Sequence, residues 1–243
     1  MKKTILITGG TSGIGLASAA YLINTGYNVL ITGRSAENLR TAKEILGNQV
    51  HTYLCDAAKI SDIEHLAEAI QKDHQRLDGI FINAGVYQSS ALSETSERFF
   101  DEMMNINFKG AFFTIQKLLP LLNLQSSIVL NTTLLLEKAF ANASVYIASK
   151  AALDAIANVL NIELADREIR VNIISPGTTI TPIQEKAGMN EEDMVNFYAF
   201  GESSPLGRMI MPNDIAPVVE FLMSDKSIAM RGVRLGVDGG ITA

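Results

Sequence analysis

Residues 4–15, TILITGGTSGIG, decide how the rest of the chain is read. The run Thr4–Thr8 is apolar almost throughout, without the polar alternation of a strand that has one wet face. It therefore reads as a parallel strand covered on both sides. Gly9, Gly13 and Gly15 follow, with Thr11, Ser12 and Ile14 between them, and a helical segment opens near Ile14. Glycines at these places permit a tight turn and let backbone N–H groups come close to an anion. The N-terminus of the following helix adds partial positive charge at the same spot. Such turns are common in isolation. After an N-terminal strand in a chain that goes on alternating, this one points to the pyrophosphate of a dinucleotide.

The alternation does go on. Asn28–Thr32, Val50–Leu54, Gly79–Asn83, Ser127–Asn131, Arg170–Ser175 and Val233–Val237 repeat the short apolar run. Helical periodicity fills 14–25, 36–46, 61–75, 97–122, 144–165 and 212–223. Ser61 followed by Glu64 has the form of a capping box, and Pro212-Asn213 that of a helix entry. About seven strands with helices between them predict an α/β fold, a doubly wound parallel sheet of Rossmann type with helices on both faces. No linker or repeat interrupts it, so residues 1–243 are read as one domain. The exception is about 178–211, rich in Thr, Met, Ser and Gly, with a short helical stretch near 190–200. An insertion after a strand's carboxyl end is where such folds place a substrate lid; the alternative is an irregular connection.

Composition excludes several classes. The chain is 47% apolar and 19% charged, with a net charge of −6 and scattered basic residues. That balance argues against nucleic-acid binding and against an anionic membrane surface. The lone cysteine, Cys55, precludes an internal disulfide and reads as a small buried residue at a strand end. The apolar run behind Met1-Lys2-Lys3 is too short for a secretion signal, and no stretch approaches the roughly 18 uninterrupted apolar residues of a membrane helix. A cytoplasmic location is expected. His51, His65 and His74 have no metal-ligand spacing, so no metal site is expected.

Two further stretches carry chemistry. At the end of the second strand stands Thr32-Gly33-Arg34-Ser35, where a carboxylate would mark recognition of the adenosine 2′-hydroxyl. Arg34 offers a positive fork for a 2′-phosphate instead, with Ser35 beside it, so NADP(H) is the expected cofactor. Tyr146 and Lys150 lie four residues apart on one helix face. A free phenol, with a pKa near 10, is a poor acid–base at neutral pH, and a neighbouring ammonium favours the phenolate. This spacing alone is frequent; its weight comes from the motifs around it.

Taken in order, Thr8-Gly-x-x-x-Gly13-x-Gly15, Asn83-Ala84-Gly85, Asn107 in Asn105-Ile-Asn107, Tyr146-x-x-x-Lys150, Pro176-Gly177 and Val237-Asp238-Gly239-Gly240 resemble the short-chain dehydrogenase/reductase family from residue 4 to about 240. Pro205-Leu206-Gly207-Arg208 adds a likeness to its 3-oxoacyl-carrier-protein reductase branch. The resemblance implies that Tyr146 exchanges a proton with the substrate oxygen and that Lys150 holds the nicotinamide ribose and depresses the tyrosine pKa. It implies that Asn107 sustains a proton path to Lys150 and that Asp56 sits by the adenine. Asn83, Ala84 and Gly85 would line the adenosine ribose, and Pro176, Gly177 and Thr179 would approach the carboxamide.

One departure stands out. Thirteen residues before the tyrosine the family has serine, and this chain has Thr133. Threonine keeps the hydroxyl but adds a methyl that restricts χ1, so it is either a working replacement or a mark of weakened catalysis. Leu134-Leu135-Leu136, with Tyr87 and the Ile183 region, suggests an apolar substrate pocket, unless the leucines are core. The segment 97–122 has more apolar residues than one buried face needs, and the resemblance implies that it and 144–165 form the contacts of a dimer or tetramer. The expected activity is NADP(H)-dependent reduction of a small-to-medium apolar ketone. The alternatives are a non-catalytic nucleotide-binding scaffold and a 3-oxoacyl-thioester reductase.

Overall fold

In the computed structural model, which describes residues 2–74 and 76–243, the apolar runs become seven strands: β1 (Thr4–Ile7), β2 (Asn28–Gly33), β3 (Val50–Leu54), β4 (Leu77–Ile82), β5 (Leu122–Asn131), β6 (Arg170–Pro176) and β7 (Arg234–Val237). They form one parallel sheet in the order β3-β2-β1-β4-β5-β6-β7. Because successive side chains on a strand point to opposite faces, runs without alternation supply both faces at once. Leu6, Leu30, Ile80 and Leu130 meet α3 (Ile60–Asp73), α5 (Ala111–Leu118) and α6 (Ser144–Glu163) on one side. Ile5, Ile31, Phe81 and Val129 meet α1 (Gly13–Asn24), α2 (Ala36–Leu46) and α9 (Pro212–Met223) on the other. The chain reverses its direction of travel between the adjacent strands β1 and β4, so a crevice opens above their carboxyl ends.

Three details differ from the sequence expectation. The stretch 97–122 is not one helix: α4 (Glu97–Met104) passes through a π-helical turn at Asn105–Gly110 into α5, then a 3-10 turn at Leu119–Leu121. Pro120 ends the helical run, and β5 begins at Leu122, five residues before the expected Ser127. Ser61 is no cap, since α3 starts at Ile60 behind Lys59; Asp62 in that first turn instead accepts the Asp56 N–H at 3.0 Å. The expected end of this helix, residue 75, lies outside the described residues. Pro212 does open α9, where Asp214 accepts the Met211 N–H at 2.8 Å.

Between β6 and α9 the chain forms α7 (Ile183–Lys186) and α8 (Glu191–Glu202). Helix α8 begins with a reciprocal cap: Asn190 Oδ1 accepts the Asp193 N–H at 2.9 Å, and Asp193 Oδ2 accepts the Asn190 N–H at 3.2 Å. Among the described residues α6 alone has the length and apolar composition of a membrane span, yet Val145, Lys150, Leu153 and Ala157 on one face are buried in the fold.

Candidate active site

A cavity of about 520 Å³ runs along the carboxyl ends of the strands. At one end lie Gly9, Thr11, Ser12, Gly13 and Ile14. Gly15 does not face the cavity; it packs under the turn, where a Cβ would come within 2.3 Å of the Gly9 carbonyl oxygen. Ser12 is the N-cap of α1, but its side chain makes no capping hydrogen bond, and the first turn holds no acidic residue. The helix dipole and the leading N–H groups therefore face the cavity without a protein carboxylate to neutralise them, which suits a pyrophosphate.

The exposed Arg34 guanidinium, Asn38 and Asp56 line the cavity nearby. Ser35 does not: its hydroxyl accepts the Asn38 N–H at 3.3 Å and caps α2. Asp56 Oδ1 accepts the Ala58 N–H at 3.1 Å, and burial pushes the Cys55 thiol up to about 12.

The middle of the cavity is framed by Asn83, Ala84 and Gly85. Asn83 Nδ2 donates to the carbonyls of Thr8 (3.0 Å) and Gly9 (3.1 Å), so the end of β4 is stitched to the glycine turn. Asn131 Nδ2 donates to Asn83 Oδ1 at 2.9 Å. Asn131 Oδ1 and Thr178 Oγ1 are buried without partners among the described residues, and both belong to residues lining the cavity. A buried polar atom left unpaired costs about 1–3 kcal/mol, so a polar ligand here would relieve strain already present. Pro176, Gly177 and Thr179 also line this stretch, with the Thr179 hydroxyl donating to the Gly177 carbonyl at 2.9 Å. A dinucleotide thus fits the uncapped helix end, the basic fork and the unpaired amide and hydroxyl in turn.

Tyr146, Lys150 and Thr133 meet at the far end. Lys150 is buried, donates from Nζ to the Asn131 carbonyl at 2.8 Å, and is brought down to about 8 by desolvation. The Tyr146 phenol is pushed up to about 12, chiefly by burial and also by Tyr87, while the Thr133 hydroxyl pulls it down. The expected depression by Lys150 is thus absent in this structure. Desolvation of the phenolate dominates, and burial lowers Lys150 in its turn. Thr133 Oγ1 accepts the Leu135 N–H at 3.2 Å and caps the short turn Leu134–Leu136.

Asn107 is wholly buried and lies behind the cavity wall. Its Oδ1 accepts the Val86 N–H (2.8 Å), and its Nδ2 donates to the Val86 carbonyl (2.9 Å) and to Ser149 Oγ (3.1 Å). A Cβ on Gly85 would lie 3.1 Å from Asn107 Oδ1 and 3.3 Å from Lys150 Nζ, which places both around one small space.

The outer wall is apolar. Leu134 and Leu135 face the cavity and Leu136 does not; Tyr87 packs edge-on against Tyr146 at 5.0 Å, and Phe140 against Phe200 at 4.9 Å. Several lining residues escaped sequence reasoning, among them Asn131, Thr181, Asp193 and Asn196. The helical spacing 193, 196, 197, 200 was a usable signal for the last two; the others acquire a role only through the fold. His51 and His74 stack edge-to-face at 4.4 Å at the β3 edge, remote from the cavity lining.

A family model described as enoyl-(acyl carrier protein) reductase matches residues 9–242. An oxidoreductase of Sarocladium schorii, asL5, is 34% identical over 98% of this chain and 95% of its own length. A 3-oxoacyl-(acyl-carrier-protein) reductase of Thermotoga maritima is 32% identical over 98% and 97%. Levodione reductase superposes with a TM-score of 0.91 at 26% identity, covering 99% of this chain and 97% of that one. The chain belongs to the short-chain dehydrogenase/reductase family of oxidoreductases.

Proposed function

We propose that the protein is an NADP(H)-dependent reductase of small-to-medium, largely apolar ketones. The observation that carries this is one cavity with an uncapped helix N-terminus and Arg34 at one end and Tyr146, Lys150 and Thr133 at the other. The cofactor would supply the hydride. Gly9 to Gly15 would form the pyrophosphate turn, Arg34 with Asn38 the 2′-phosphate corner, and Asp56 the adenine edge. Asn83, Ala84 and Gly85 would hold the adenosine ribose, and Pro176, Gly177 and Thr179 the carboxamide.

Tyr146, with a pKa of about 12, keeps its proton at neutral pH and is the acid that delivers it to the carbonyl oxygen. The Thr133 O–H, aimed by the Leu135 bond, holds that oxygen. Lys150 returns the proton to the phenolate, which its pKa of about 8 allows, and Asn107 positions this end through Val86 and Ser149. The segment 178–211 acts as a substrate lid on a single domain. The outward Phe100, Phe112, Val159 and Ile162 support a dimer or tetramer, and the buried free thiol of Cys55 fits a cytoplasmic enzyme.

A 3-oxoacyl-thioester reductase is the second reading, favoured by the likeness to the Thermotoga maritima protein. An NADPH-oxidation screen over ketones and 3-oxoacyl thioesters tests both, with Tyr146→Phe as control and Arg34→Ala as the cofactor arm. Turnover well above the Tyr146→Phe level is expected, with Arg34→Ala weakening NADPH at least tenfold more than NADH, as befits a lost phosphate contact. NADPH binding without turnover in any member of the screen would leave a scaffold; equal losses for both cofactors would refute the 2′-phosphate role.

A further inference from the structure

Charged side chains are unevenly placed along the cavity. Its phosphate end carries Arg34 and the bare N-terminus of α1, with the Asp56 carboxylate beside them. Lys186 belongs to that end as well. It follows Pro182 by one helical turn, and Thr181 and Pro182 abut Gly13, at 3.0 and 3.9 Å from where a Cβ on that glycine would stand. The end holding Tyr146 has the buried Lys150 amine at its base and a carboxylate on its outer wall. Helix α8 lines it with Asp193, Asn196, Phe197 and Phe200, spaced i, i+3, i+4 and i+7, so that one face presents a carboxylate and an amide followed by two aromatic rings. The Asp193 carboxylate is close enough to Tyr87 for its charge to raise that phenol, second to burial, and Tyr87 stands edge-on to Tyr146. Glu191 and Glu192 in the same helical turn add to the negative potential. Lys138 stands over the Phe200 ring, its Nζ 5.2 Å from the centroid, and does not line the cavity.

We propose that Asp193, aided by Asn196, sets substrate choice: the reactive end takes ketones whose tail is neutral or cationic and carries hydrogen-bond donors, and rejects those whose tail is anionic. The apolar part of the substrate lies on Phe197, Phe200 and Leu135, and a hydroxyl or ammonium on its tail meets the carboxylate. This rests on the reductase reading. It also separates the two substrate readings, because the α8 carboxylates at the mouth oppose the docking of an acidic carrier protein while leaving small neutral ketones unaffected.

The test uses the full chain with NADPH and a matched series of ketones whose tails end in hydroxyl, ammonium or carboxylate at the same length. Wild type is expected to show kcat/KM for the carboxylate member about tenfold below the hydroxyl member, the size expected for one charge pair near a protein surface. Asp193→Asn keeps the acceptor that caps Asn190 and should bring the three members within about twofold; Asn196→Asp adds a second carboxylate to the same face and should widen the gap. Unchanged discrimination in Asp193→Asn, or no gap in wild type, overturns the proposal. Should no ketone turn over in any variant, the reductase reading fails on its own. Calorimetric binding of the same three compounds then decides the charge rule: the same order of affinities, flattened in Asp193→Asn, supports it, and equal affinities in wild type overturn it.

Discussion

Thr133 Oγ1 takes the Leu135 N–H at 3.2 Å, so its rotamer is held from below while its hydroxyl also reaches the Tyr146 phenol and lowers its pKa. The added methyl thus stiffens a hydroxyl already fixed by the backbone turn. Thr133→Ser is expected to keep kcat/KM within about threefold, and Thr133→Ala to lose roughly 10²–10³, the effect of removing one donor from a developing oxyanion. Steady-state NADPH oxidation on the best ketone checks it; an Ala variant as fast as wild type would remove Thr133 from the chemistry. The residue types at this end were legible in the sequence through the ordered motifs around them and the family they resemble, since the Tyr146–Lys150 spacing alone is frequent. Their pKa values were not. Whether burial or a neighbouring charge wins depends on the depth of a pocket built by six separate loops, and in this structure burial wins at both Tyr146 and Lys150.

At the level of elements, the short apolar runs identified every strand, although β4 and β5 begin before the runs that pointed to them and the edge strands β3 and β7 are partly exposed. The segment 97–122 shows what periodicity misses. Its helical pattern continues through Asn105–Gly110, yet the backbone widens there to a π turn that carries Asn107 inward to Val86 and Ser149. Gly110, at the end of that turn, presses so closely on the β3–α3 connection that a Cβ would stand 2.0 Å from the Ala57 carbonyl oxygen. Backbone cannot yield as a flexible side chain would. Gly110→Ala is therefore expected to lower unfolding stability by about 1–3 kcal/mol through overpacking. Urea unfolding reads the loss, and a fall in kcat larger than the change in KM would show that Asn107 has moved with the helix. A variant as stable as wild type would mean that the two segments can separate freely.

For the molecule as a whole, the buried amine of Lys150 links folding to pH. Its pKa is about 8 in the fold against 10.5 unfolded, so between those values the unfolded chain binds more protons. Stability from this group therefore rises as pH climbs from 8 toward 10.5, by about 3 kcal/mol in full. Cys55 and Tyr146, both raised to about 12, act in the opposite sense above their unfolded values of 9.0 and 10.0. The difference between wild type and Lys150→Met isolates the amine: it should move in favour of wild type by 2–3 kcal/mol between about pH 7 and 10. A flat difference in denaturant unfolding would show that the amine is not desolvated. Arg34 is the contrast to Lys150. It is solvent-facing, follows the last residue of β2 and belongs to neither apolar core. Its sign can be reversed by mutation with no layer of the fold disturbed. On the proposed reading, an ancestor or a designer could move this scaffold between the cell's two nicotinamide pools through that one side chain, leaving the rest of the architecture to drift independently.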